Sequence, residues 1–285
     1  MAITATPRST APGRPTRKRR TARTNSLSLA SSLGLGVVLL WFSLLVLIPL
    51  AMVVATAGEN GFSGFWDTIT SPQTFSAVQL TVVESLLVTS LNVVMGTVIA
   101  WVLVRDRFPG KSVLDVVIDI PFALPTIVAG LVLLSLYGPQ SPLGIDIANT
   151  RIAVFLALAF VTLPFVVRTV QPVLEELEAD VEEASASLGA SRLTTFRRII
   201  LPSLVPSIAA GAALSFARGI SEYGSLVLLS GNLPNRTEVA SVRVLTYIEN
   251  GDSASAAAVA TLMLLVALAV IVALDIIQRR VARRG

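Results

Sequence analysis

The sequence predicts an all-α membrane protein with six transmembrane helices, on three observations. Of its 285 residues 53% are hydrophobic and only 14% charged, with a mean hydropathy of +0.76, whereas a soluble domain carries roughly 25% charged residues. Six apolar stretches reach the roughly 20 residues that a bilayer-crossing helix needs. Lysine and arginine gather on one side of the arrangement those stretches create.

Residues 1–32, rich in Thr, Pro, Arg and Ser, read as a basic, disordered cytoplasmic tail. A transmembrane domain follows over 33–277, with spans near 33–57, 78–104, 113–137, 151–173, 203–231 and 255–277. "ATA" at Ala55 to Ala57 resembles a cleavage site, but the apolar run before it exceeds the roughly 7–15 residues of a signal-peptide core, so it is read as an uncleaved first span. The first and last spans are almost unbroken Leu, Val, Ile and Ala. The middle four contain Pro, Gly, Asn and charge, which lipid tolerates only where the polar group faces protein or a water-filled path. Pro121 and Pro125 remove two backbone donors from the third span, which must kink or open there, either for packing or to line a path. Residues 278–285 form a second basic tail.

Orientation follows from the charges. The N-terminal tail carries seven Lys or Arg, "RDRFPGK" three, the stretch from Arg168 to Arg198 four and "QRRVARRG" four. These fall on one side of a six-span chain, while Arg151, Arg236 and Arg243 lie on the other and Arg218 lies inside a span. The positive-inside rule then places both termini in the cytoplasm. Asp115 and Asp119, one turn apart near the inner end of the third span, read as interfacial or paired with basic residues, and Arg168 as a residue snorkelling to the interface.

The composition also excludes chemistry. With no cysteine and no histidine, thiolate nucleophiles, Cys/His zinc sites and histidine acid–base catalysis are impossible. "FPGKS", Phe108 to Ser112, ends like a phosphate-binding loop, but the pattern needs Gly where Arg105 stands and a strand-to-helix setting in a soluble domain. The chain has no ATP site of its own and reads as no enzyme; no cofactor or metal is expected in it.

One polar segment stands apart. Residues 174–202, which include "EEASASLGASRLTTFRRIILP", spend about thirty residues where a few would join two spans. Val181, Ala184 and Leu188 give a short helix with one apolar stripe. Gly189 suits the left-handed position that closes a helix. Ser191 caps a second helix, and Pro202 is expected to break it so that the next span sets off in a new direction. A solvated loop and a docking surface for a cytoplasmic partner are both compatible with this pattern.

Glu183, Ala184, Gly189, Ile199, Leu201 and Pro202 resemble the EAA motif of ABC importer permeases, with three residues between the Ala-Ala position and Gly and nine between Gly and Ile-x-Leu-Pro. Ser185 departs from the second alanine and keeps a small side chain. Three further stretches, "RDRFPGKSVLDVVIDIPFALPTIVAGL", "LPFVVRTVQPVLEELE" and "RGISEYGSLVLLSGNLPNRTEV", are similar to the CysT-type sulfate/thiosulfate permease family. Ser221 stands where that family commonly has glycine.

The resemblance implies a bundle of the type I ABC importer permease kind. Residues Glu183, Ala184, Ser185, Gly189, Ala190, Ser191, Arg192, Ile199, Leu201 and Pro202 would couple it to an ATPase. The implied partners are an ATP-binding subunit dimer that holds Mg-ATP, a second permease of similar fold and an extracytoplasmic sulfate-binding protein, in a bacterial inner membrane, with membrane lipid around the bundle and no nucleic acid. The implied mechanism is alternating access. Arg218, read as lying about fifteen residues into the fifth span, must face protein or water, since a central arginine costs roughly 2.5–3.5 kcal/mol to insert. Its guanidinium matches an oxyanion, yet Glu222 at i+4 can neutralise it in a structural pair. Arg218, Glu222, Pro121 and Pro125 are therefore the candidates for the pathway. A molybdate or tungstate permease is the alternative within the class, and an ion-driven secondary transporter the alternative outside it.

Overall fold

A computed structural model describes residues 29–177, 184–185 and 187–282. The described residues are helices and turns. They divide into two units, one ending at Pro49 and one beginning at Leu50. In the first, α1 (Leu29–Phe42) passes into a π-helical turn over Ser43–Leu47. The second unit begins within α2 (Ile48–Ala57) and contains α3 (Gly61–Thr70), α4 (Pro72–Arg105), α5 (Lys111–Ala123), α6 (Thr126–Tyr137) and α7 (Arg151–Glu176). After the turn at Gly189 come α8 (Arg192–Thr195), a π-helical turn over Phe196–Ile200, α9 (Leu201–Ile220), α10 (Gly224–Leu229), α11 (Ala240–Glu249) and α12 (Ser253–Ala282).

Five helical stretches are long and apolar enough to cross a membrane: Ser31–Ala57, Pro72–Arg105, Arg151–Glu176, Arg192–Ile220 and Ser253–Arg280. The pair α5 and α6 supplies a sixth unit, bent by 115°. The break falls where the prolines demand it. Leu124, forced out of the helical region by the ring that follows, has ψ 135°, and Pro125 is extended with ψ 133°. Pro121 stays inside the last turn of α5.

Two sequence expectations are corrected here. Pro202 does not break its helix: Arg192–Ile220 runs on as one span-length helix. The π-helical turn just before it, closed by Leu201 N–H donating to the Phe196 carbonyl, widens the backbone where the proline ring would clash. The same device precedes Pro49, where Ile48 N–H donates to the Ser43 carbonyl. The fifth span, in turn, ends at Ile220 and does not continue to residue 231. A tight turn, Glu222 N–H to the Gly219 carbonyl at 3.2 Å, separates it from the short α10. Arg218 therefore sits in the last turn of α9 and not at the centre of a span.

The interior of the second unit is built on α4, α7 and α9. One apolar cluster joins Leu80, Val88, Val154, Leu158, Leu226 and Leu229. A second, towards the basic end where α4 finishes and α9 begins, joins Ala100, Leu103, Val166, Val170, Leu174 and Leu204. Between them lies a buried polar layer: Asn92 Nδ2 donates to Thr162 Oγ1 at 2.8 Å and to Ser215 Oγ at 3.4 Å. Because α4, α7 and α9 each contribute one group, this layer sets their register, as lateral displacement would leave an amide unpaired in a low-dielectric interior.

Candidate coupling segment and broken spans

At the basic end, α7 stops at Leu177, whose carbonyl accepts from Arg105 Nη2 at 3.1 Å. Glu183 lies outside the described residues, as does Val181. Ala184 and Ser185 are helical, and Leu188 N–H donates to the Ala184 carbonyl. Gly189 then takes φ +80°, a backbone that a Cβ opposes. Ala190 N–H returns to the Ser185 carbonyl at 3.1 Å, and Ser191 Oγ accepts from Thr194 N–H as the cap of α8. Ser185, at the place of the motif's second alanine, is buried and its hydroxyl meets Thr195 Oγ1 at 2.7 Å. That bond crosses the turn and holds its two sides together.

The turn is fastened below and open above. Trp101 of α4 packs edge-on against Phe196 with centroids 5.7 Å apart, and Ile200 and Leu204 enter the second apolar cluster. Ile199, Leu201 and Pro202 are half-buried along the root of the helix, and Arg192 is exposed. Leu188, by contrast, is 89% exposed and Leu193 58% exposed. Among the described residues nothing covers these two large apolar side chains, which stand off either side of the turn.

The second arrangement lies at the far end of α9. Arg192 and Arg218 are separated by 26 residues of helix, about 39 Å at 1.5 Å per residue, so the coupling candidates and the pathway candidates occupy opposite ends of one rod. Arg218 Nη2 pairs with Glu222 Oε2 at 2.5 Å. Glu222 has its side chain wholly buried, while that of Arg218 keeps 28% exposure. The other carboxylate oxygen, Oε1, accepts from both the N–H and the hydroxyl of Ser225 at 2.8 Å, and the Glu222 carbonyl accepts from Ser241 Oγ at 2.7 Å. Glu222 thus joins α9, α10 and α11, which is why the chain leaves the helix after Ile220.

The two broken elements press directly on each other. A Cβ added to Gly130 of α6 would lie 2.7 Å from the Ser225 carbonyl oxygen, and one added to Gly224 would strike Thr126 Oγ1 and come within 2.9 Å of the Ile127 nitrogen. Only glycine lets the backbones approach this closely. Pro125 and Thr126, at the bend of the third unit, therefore lie against the turn that carries Glu222. Pro121 lies a turn away, inside α5.

One arrangement escaped the sequence reading. Arg168 does not snorkel: Nε and Nη2 each donate to Asp119 at 2.7 Å, Nη1 to Asp115 Oδ1 at 2.8 Å and to Gln171 Oε1 at 2.7 Å, and Nη2 also to the Asp115 carbonyl at 2.8 Å. The two aspartates thus have the basic partner the sequence allowed for. A charged residue in a span must be paired, and the one-turn spacing of the aspartates was the available signal.

The chain matches the family described as the binding-protein-dependent transport system inner membrane component, over residues 92–284. The sulfate transport system permease protein CysT of Salmonella typhimurium is 40% identical over 260 residues, covering 89% of this chain and 94% of that protein. Its namesake from Synechocystis is 42% identical over 250 residues, covering 85% and 87%. Among solved structures, a chain of a bacterial alginate ABC transporter in complex with alginate pentasaccharide-bound periplasmic protein aligns with a TM-score of 0.73 at 17% identity, over 88% of this chain and 94% of that one. A chain of the MetNI methionine ABC transporter in an inward-facing conformation aligns with a TM-score of 0.57 at 19% identity, over 72% and 94%. The fold is thus that of the type I ABC importer permeases, and by sequence this multi-pass membrane chain belongs to the binding-protein-dependent transport inner-membrane family, in the branch of the sulfate transport system permeases.

Proposed function

We propose that the chain is the permease subunit of an ATP-driven sulfate or thiosulfate importer, forming half of the translocation pathway and drawing its energy from a separate ATPase. The observation that carries the coupling is the turn around Gly189. Its backbone is closed by internal hydrogen bonds, its root is packed on Trp101, and Leu188 and Leu193 are left bare. Apolar side chains held rigidly outside the apolar spans are stabilised when another protein covers them. The occupant is an ATP-binding subunit, one of two, with Mg-ATP bound there and not in this chain. A second permease completes the pathway and an extracytoplasmic binding protein delivers the anion. Both termini lie in the cytoplasm of a bacterium, because the basic connections fall on that side.

Cargo identity rests on the near-complete alignment with sulfate permeases. Within the chain, the pathway runs past the apposed breaks, where Arg218 offers the guanidinium donors that lie outside its contact with Glu222. ATP binding draws the two coupling segments together; the helix from Arg192 to Ile220 transmits that displacement to the breaks as a rod.

The test is ATP-dependent sulfate uptake into vesicles holding this chain, its candidate ATPase, second permease and binding protein, with wild type set against Gly189→Asp. Loss of uptake in a variant that still inserts normally supports the reading. Uptake of molybdate in place of sulfate transfers the cargo to the sister permeases, and uptake that persists without ATP overturns the coupling.

A further inference from the structure

The coupling segment joins α7 to α9 along the chain, but a third helix, α4, holds both of its roots. On the way in, α7 ends at Leu177, whose extended backbone (ψ 106°) leaves its carbonyl without a helical donor. Arg105 Nη2, from the last turn of α4, supplies one at 3.1 Å. On the way out, Phe196 lies against Trp101 with ring centroids 5.7 Å apart and planes at 80°. Trp101 and Arg105 stand at i and i+4 and so share one face of α4. The guanidinium carbon of Arg105 lies 6.0 Å from the centre of the Trp101 ring, within reach of a cation–π contact. Phe196, Trp101, Arg105 and the Leu177 carbonyl thus form one continuous series of contacts that brackets residues 178–195. Ala100 and Leu103 of the same helix are buried in one cluster with Leu174, just before the entry, and with Ile200 and Leu204, just after the exit.

A segment fixed only to the helices it joins could pivot between them. One fixed at both roots to a single further helix cannot be displaced unless that helix follows. The other end of α4 is fastened to the broken elements. Thr81 Oγ1 accepts from the N–H of Ala240 in α11 at 2.8 Å, both residues being buried, and the neighbouring Ser241 donates to the Glu222 carbonyl at 2.7 Å. Thr81 and Arg105 belong to one uninterrupted helix and lie about 36 Å apart along it at 1.5 Å per residue.

Given the ATP-coupled permease proposed above, we infer that Trp101 and Arg105 are positioning residues of the coupling device: they clamp both roots of the coupling segment to α4, which moves with it and, alongside α9, carries the ATP-driven displacement to the turn at Glu222. Neither residue touches the cargo or the nucleotide; both act through the segment they hold.

The test measures sulfate taken up per ATP hydrolysed by the assembled complex in vesicles. Arg105→Gln and Trp101→Leu should each lower that ratio about fivefold, while Trp101→Phe, which keeps an aromatic face towards Phe196, should stay within about twofold of wild type. Poor folding lowers uptake and hydrolysis together and leaves the ratio where it was, so a ratio unchanged in both variants overturns the clamp. The wild-type geometry is tested separately by spin labels at residues 94 and 192, both exposed, in a chain without native cysteine. Their separation should change by no more than about 2 Å between the nucleotide-free and ATP-bound complexes; a larger change overturns the clamp. Wild type that shows no ATP-dependent uptake overturns the permease reading and the clamp with it, whereas coupled uptake with an unmoved ratio overturns the clamp alone.

Discussion

Arg168 and Asp119 meet through two parallel hydrogen bonds of 2.7 Å, guanidinium fork to carboxylate fork, across the gap between α7 and α5. Little else holds α5: among its residues Ile118 alone is buried, and Phe122 makes one edge-on contact with Phe165. The pair therefore sets where the lower half of the broken third span lies. Arg168→Lys keeps the charge and loses the fork, and should lower stability by about 1–2 kcal/mol, since the carboxylates are partly exposed and screened. Arg168→Gln should cost more, because it leaves two aspartates without a counter-charge. Thermal unfolding of the detergent-solubilised chain, ranking wild type above Lys above Gln, is the check; equal midpoints would refute it.

Leu188 makes a separable prediction. With its side chain 89% exposed, Leu188→Asp should leave the unfolding temperature of the isolated chain within about 1 °C of wild type, as surface substitutions change stability little. Capture of the ATPase subunit should weaken at least about tenfold, as for an apolar anchor lost from an interface centre. Affinity measured in nanodiscs by biolayer interferometry tests this; a variant that binds as wild type removes Leu188 from the interface.

The Arg218–Glu222 pair can be separated from its possible cargo role by a double-mutant cycle. Glu222→Gln alone and Arg218→Gln alone should each destabilise by about 2–4 kcal/mol, since each leaves one charge without its partner at a buried site. The double variant should recover most of that loss. If Arg218 serves only the pair, uptake recovers with stability. If it meets the anion in transit, the double variant is stable and transports sulfate at less than about a tenth of the wild-type rate.

Asp252 precedes α12, and its carboxylate accepts from Ser255 N–H at 3.0 Å. Hydrogen bonds from the Ser255 side chain and backbone hold its pKa below the ordinary carboxylate value. A folded-state pKa that is lowered contributes stability above the unfolded value, near 3.9, and the contribution fades as pH falls through the folded value. Asp252→Asn keeps a capping oxygen and loses only a solvent-screened charge, so it should cost no more than about 0.5 kcal/mol at pH 7. The gap from wild type should close below about pH 4. Hydrogen exchange across the first turn of α12 at both pH values measures it; a gap that persists in acid assigns the effect to shape and not to charge.

Much of this architecture was legible in the order of residues, and the exceptions have physical causes. Pro125 announced its break because proline restricts the residue before it whatever the surroundings, and Gly189 and Ser191 announced their turn by the same local logic. Pro202 misled because the rule for proline assumes an ordinary α-helix; one π-helical turn upstream removes the clash. The end of the fifth span misled because Ile220 to Leu229 is apolar enough to continue it, and only the requirement to bond Glu222 from three elements turns the chain aside. Arg168 and its aspartates are 49 and 53 residues apart, and no local pattern says which distant charge a half-buried arginine will meet.

What the sequence by itself determined is whatever follows from composition and neighbours along the chain: that it enters a membrane, how many times, where its prolines and glycines bend it, and that it can carry neither thiol nor imidazole chemistry. What only the tertiary structure decided is pairing. The seating of Gly130 on Ser225, the layer of Asn92, Thr162 and Ser215 and the fork of Arg168 all depend on groups far apart in sequence. In an interior without water each polar atom must find its partner across a helix interface, and that search is resolved only when all the helices are packed at once.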